Sequence, residues 1–199
     1  MDFKKTYVDM YQTVIREHEK VFELLDMDQL KDFMDAIIKA NKIFIMAGGR
    51  EGISLRSFAM RLSHLGKETH WIWDDTTPAM GEGDLFIVSM GSGDVGMFRY
   101  IIEQASKTGA KIAMITGLPE GKLVEKYADL QLFIHSAVYF STGAYDVERP
   151  QHDIVKTMQP MGNLYEQHLY MLLDIIVILL KDEMGQTYED MEKRHRNVE

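Results

Sequence analysis

The chain has no cysteine, which removes a disulfide framework, a thiolate nucleophile and any cysteine-bound metal. That usage fits a cytoplasmic protein, the expected location. A basic excess is also missing: 22 Lys and Arg stand against 31 Asp and Glu, for a net charge of −9. No local basic patch offsets this, so nucleic acid is not an expected partner. Long apolar runs are absent too. The longest, 170–180, is interrupted by Asp174 and falls short of the roughly 20 residues that cross a bilayer. It reads as a buried helix, and no membrane partner is expected. The opening Met1-Asp2-Phe3-Lys4-Lys5 leads into a polar helix pattern and not an apolar signal core, so export is not expected. His64, His70, His135, His152 and His168 form no His-Glu-x-x-His spacing, and neither a metal nor another cofactor is expected.

What is present is enough for one core. With 199 residues, 46% of them hydrophobic, the chain reads as a single domain. Its expected parts are N-terminal helices over 1–40, a sheet core over 41–135, a loop over 136–160 and C-terminal helices over 161–199. Helical spacing runs from Val8 to about Leu25, and Asp26 or Asp28 can cap a second helix through Ile38. The period then changes. Lys42 to Ala47 is a short apolar run ending in glycines, the pattern of a strand buried on both faces of a parallel sheet. Similar runs follow at 70–73, 85–89, 111–116 and 130–134, separated by helical stretches at 53–65, 95–108 and 121–127. Alternation of this kind predicts an α/β fold, a sandwich with a parallel sheet. Beyond the polar loop, an apolar helix is expected over 163–183 and a short charged one over 187–196.

Two glycine turns carry the candidate chemistry. Gly48-Gly49-Arg50-Glu51-Gly52 leaves the first strand and opens a helix, so its amides and the helix dipole can receive an anion. Arg50 adds a guanidinium that pairs with carboxylate or phosphate. Ser89-Met90-Gly91-Ser92-Gly93-Asp94 repeats the arrangement after the third strand. Each turn alone could be an ordinary strand end; two at neighbouring strand ends can face one cleft. Glu166 stands one turn into the long apolar helix, either as a first-turn residue favoured by the dipole or as a proton acceptor. His195 lies in the charged stretch Glu192 to Asn197, where a solvated side chain is the simpler reading. Asp74, with Asp75 and before Thr77-Pro78, could meet a sugar hydroxyl or magnesium. Trp71 and Trp73 are expected to pack, and the 15 methionines to fill cores or subunit contacts.

Together these stretches resemble the SIS (sugar isomerase) domain family, and within it the 6-phospho-3-hexuloisomerase branch. The resemblance rests on the Gly-Arg-x-Gly turn, Ser57 to Gly66, Thr77-Pro78, Gly83-Asp84-Leu85, Gly91-Ser92-Gly93, Ala128-Asp129-Leu130, Gln159-Pro160-Met161-Gly162, Glu166-Gln167 and His195-x-Asn197. It implies a three-layer αβα sandwich with a five-stranded parallel, flavodoxin-like sheet. It also implies a homo-oligomer, tetramer or dimer, with sites shared between subunits. The expected ligand is a sugar or sugar phosphate, and the reaction moves a proton between adjacent carbons through an enediol, taking 3-hexulose 6-phosphate to fructose 6-phosphate. Carried over, Glu166 is the base, His195 from a neighbouring subunit assists, and Arg50 steers the anionic or carbonyl end. Gly49, Glu51, Ser89, Ser92, Gly93, Asp74 and Thr77 complete the expected substrate site.

Three positions depart from the pattern. Glu51 stands where the family usually has serine, and Met90 and Val95 replace hydroxyl residues. Losing such donors, each worth about 1.5 to 3 kcal/mol toward a charged group, alters the phosphate cradle. Two alternatives therefore remain beside the phosphate isomerase: an isomerase for a different or non-phosphorylated sugar, and a non-catalytic sugar-binding module.

Overall fold

The computed structural model describes residues 1–138 and 153–198, so much of the expected loop at 136–160 lies outside the described residues. Five strands form one parallel sheet: β1 (Lys42–Met46), β2 (Glu68–Trp71), β3 (Leu85–Ser89), β4 (Lys111–Thr116) and β5 (Leu130–Phe133), in the order β2-β1-β3-β4-β5. Side chains alternate across a strand, and the central strands are apolar on both faces between their ends because both faces are covered. Ile43, Ile45, Leu85, Ile87, Ala113 and Ile115 face one core. Phe44, Met46, Phe86, Val88, Ile112 and Met114 face the other.

Helices α1 (Phe3–Glu23), α2 (Met27–Lys39), α3 (Gly49–His64) and α6 (Asn163–Glu183) cover the first face. A 3-10 turn (Gly96–Phe98), α4 (Arg99–Ala105) and α5 (Lys122–Tyr127) cover the second. Helix α6 is long and apolar enough to cross a membrane by length and composition. Here Leu164, Leu169, Leu172, Leu173, Ile176 and Leu180 are buried against the sheet, as the sequence predicts for a core helix. His168, on the same helix, is fully buried and packs its ring 4.1 Å from that of Phe22. Burial first, and the nearby His18 second, push its pKa down to about 3, so it is a neutral packing residue between α1 and α6.

The chain leaves β1 outward to β2 and returns to β3 on the other side. The order thus reverses between β1 and β3, and a crevice opens at the carboxyl ends of these strands. Element boundaries differ from the sequence expectation where caps decide them. Asp2 accepts from the Lys5 amide, so α1 starts five residues before Val8. Strand β2 ends at Trp71, leaving Trp73 beyond it. The expected helix over 95–108 is a 3-10 turn followed by α4. A capping box between Thr187 and Asp190 starts α7 (Tyr188–Lys193), which ends before His195.

Candidate active site

Three turns converge at the crevice. Gly48 caps α3 and Gly49 starts it at φ 52, which puts Arg50 and Glu51 in the first helical turn. After β3, Gly93 turns the chain at φ 67, and a side chain there would meet Leu118 O at 2.6 Å and Gly121 Cα at 2.7 Å. Only glycine fits that approach. Before α6, Met161 and Gly162 are both left-handed, at φ 58 and 76. A methionine held there is strained, and the turn aims the first residues of α6 at the crevice.

The result is a cleft of about 240 Å3 lined by Glu51, Gly91, Ser92, Met161, Tyr165 and Glu166, with Val95 and Val138 at its sides. Glu166 Oε2 lies 3.0 Å from Arg50 Nε. The contact is an ion pair whose geometry is not that of a hydrogen bond, and among the described residues this oxygen takes no hydrogen bond. Desolvation raises the Glu166 pKa, while the Arg50 charge opposes the rise. A carboxylate held by an ion pair in a partly dry cleft is suited to accept and return a proton.

Glu51 does something different. Ser89 Oγ donates to its Oε2 at 2.5 Å, and the Gly91 amide donates to its Oε1 at 3.3 Å. Burial, opposed by these two hydrogen bonds and helped by Glu166, raises its pKa to about 7. Ser89 also touches Tyr165 Oη at 3.2 Å, and Tyr165 donates to Ile115 O at 3.0 Å. With Glu51 protonated, a one-way chain runs from Glu51 through Ser89 and Tyr165 to Ile115, each hydroxyl donating once and accepting once. With Glu51 ionised, Ser89 turns its proton toward the carboxylate.

The expected site residues are thus divided. Arg50, Glu51, Ser89, Ser92 and Glu166 come together, with Gly49 and Gly93 as their turns. Asp74 and Thr77 form a turn after β2, where the Thr77 hydroxyl donates to Trp71 O, and neither lines the cleft. His195 packs beside His64, with ring centroids 5.1 Å apart, in a separate hollow that includes Asp174 and Ile178. Those two positions lie roughly 12 to 18 Å along α6 from Glu166, so one chain does not join the two expected catalytic residues. Met90 is buried in the core and cannot meet a ligand.

Sequence reasoning missed Tyr165 and Met161 as cleft residues. It also missed Glu17, whose carboxylate accepts from Thr157 Oγ1, the Met158 amide and Gln159 Nε2 at 2.7, 3.0 and 2.9 Å. That buried anchor fixes the segment leading into the Met161-Gly162 turn. Tyr165 was detectable as a polar-tipped aromatic beside Glu166; the role of Glu17 had no local signal.

No protein-family profile matches the chain. It is 34% identical over 175 residues to the 3-hexulose-6-phosphate isomerase of Bacillus subtilis, covering 87% of each chain. It is 32% identical over 175 residues to that of Mycobacterium gastri, covering 88% of this chain and 82% of the relative. Among solved structures, a Methanococcus jannaschii protein described as inferring a molecular function of 3-hexulose-6-phosphate isomerase superposes with a TM-score of 0.78. It is 28% identical, with 96% of this chain and 99% of that one covered.

Proposed function

The chain belongs to the 3-hexulose-6-phosphate isomerase family, and from that premise we propose that it interconverts a 3-hexulose and a 2-hexulose through an enediol. In the phosphorylated case these are 3-hexulose 6-phosphate and fructose 6-phosphate. Glu166 removes the proton from C2 of the open-chain 3-ketose while the C3 oxygen gains a proton, giving the C2–C3 enediol. The C2 hydroxyl then loses its proton and Glu166 returns its own to C3, so that the carbonyl has moved to C2. Arg50 holds the Glu166 carboxylate in place and offers positive charge to the oxygen that becomes negative. No redox partner is needed, because the electrons stay within the sugar.

His195 assists by moving the hydroxyl protons, and a second copy of the chain supplies it. What supports this is the separation of His195 from Glu166 together with a groove of about 790 Å3 that opens beside Arg50 and Glu166. Its apolar rim includes the exposed Ile15, Ile53 and Tyr170, a surface suited to another subunit. A homo-oligomer in the cytoplasm completes the reading.

The observation that carries the proposal is the Glu166 carboxylate lining the cleft at the switch point, with the Arg50 guanidinium 3.0 Å away. Glu166→Gln keeps the shape and removes the base. Formation of fructose 6-phosphate from 3-hexulose 6-phosphate, and of fructose from free 3-hexulose, is expected to fall by about 10²- to 10⁴-fold with the circular dichroism unchanged. Undiminished turnover in that variant would overturn the assignment.

A further inference from the structure

Glu51 sits on the donors that a phosphate would need. A phosphate held between the two glycine turns draws on turn amides and hydroxyls, and here the Ser89 hydroxyl and the Gly91 amide already donate to the Glu51 carboxylate. The charge of the cleft points the same way. Its described lining carries two carboxylates, Glu51 and Glu166, and no cation of its own. Arg50, the nearest, is paired with Glu166. The adjoining hollow between the turns after β3 and β4 sets Lys122 against Asp94 and Glu120, so it is not cationic either.

We infer that Glu51 is a specificity-determining residue, an internal anion that takes the place of a ligand phosphate and selects a sugar whose end at the glycine turns carries a hydroxyl. An incoming hydroxyl can donate to the carboxylate without displacing it. An incoming dianion has to expel Glu51 from Ser89 and Gly91, or meet it charged at short range. A proton on Glu51 lowers that barrier, and the raised pKa of this group makes the discrimination strongest on the alkaline side. The charged group that faces it is Glu166 from α6, itself paired with Arg50; the Tyr165 hydroxyl of the same helix stays neutral, its pKa raised by burial.

The inference rests on the isomerase reading for its choice of ligand class, but its test needs no turnover and therefore fails or stands separately. The probes are two unreactive open-chain mimics, glucitol and glucitol 6-phosphate, titrated calorimetrically near pH 8 into the wild-type protein, Glu51→Ser and Glu51→Gln. Wild type is expected to bind the phosphate ester no more tightly than the free polyol. At least one variant that melts cooperatively is expected to bind the ester about tenfold more tightly than wild type does, with the affinity for glucitol unchanged or lower. A wild-type protein that prefers the ester by about tenfold or more contradicts the inference without any variant. So does the absence of a gain in both variants, including the case in which no protein binds the ester.

Discussion

Glu51 keeps its proton to about pH 7, whereas an ordinary glutamate releases it near 4.5. The difference arises because folding moves this carboxyl out of water and close to Glu166, and two hydrogen bonds only partly compensate. A group raised in this way adds stability that is fully present below its unfolded pKa and is lost as pH rises through its folded pKa. The window for Glu51 is therefore about pH 4.5 to 7, and at 1.36 kcal/mol per unit the loss is roughly 3 kcal/mol. Glu51→Gln carries no such proton. Thermal melts are expected to show the variant several degrees more stable than wild type near pH 8, with the advantage shrinking toward pH 5. A constant difference across that range would place the titrating group elsewhere. Glu166 shares the direction of shift, but Arg50 restrains it; in the proposed mechanism Glu166 handles protons, and in the further inference Glu51 handles ligand charge.

At the scale of elements, the site depends on how three turns are held, and the least obvious support is α1. Glu17 gathers Thr157, Met158 and Gln159 and so fixes the approach to the strained Met161-Gly162 turn, from which Tyr165 and Glu166 project. Glu17→Ala leaves these donors without their acceptor and is expected to cost about 2 to 3 kcal/mol in urea unfolding, with kcat falling as the turn loosens. Stability within about 0.5 kcal/mol of wild type would show that the segment is held by other means. The strands and helices themselves were legible in the sequence, because the change of period at Lys42 and the glycines at 48–49 and 91–93 are local signals. The same signals point to Arg50 and Ser92, whereas Glu166 stands out only by its place at the start of the apolar helix and by the family resemblance. The contact between Glu51 and Ser89 spans 38 residues and that between Glu17 and Thr157 spans 140. Only the assembled sheet and the packing of α1 on α6 bring these pairs together, so spacing along the chain could reveal neither. Asp74 and Thr77 read as site residues for the converse reason: a polar turn looks alike in sequence whether or not it faces the cleft.

For the whole molecule, the fold places Glu166 at the crevice between β1 and β3, and His195, beyond α7, beside the far part of α6. The central claim is that the reaction runs on Glu166 of one copy and His195 of another, with the apolar groove between α1, α3 and α6 as the meeting surface. Glu166→Gln and His195→Ala should each be inactive as pure proteins. Refolded together in equal amounts, they form sites in which an intact Glu166 from one variant meets an intact His195 from the other. Random pairing is expected to restore about a quarter of wild-type turnover. A mixture that associates yet stays as inactive as its parents would contradict the account, because the two residues would then have to act within one chain or not act together at all.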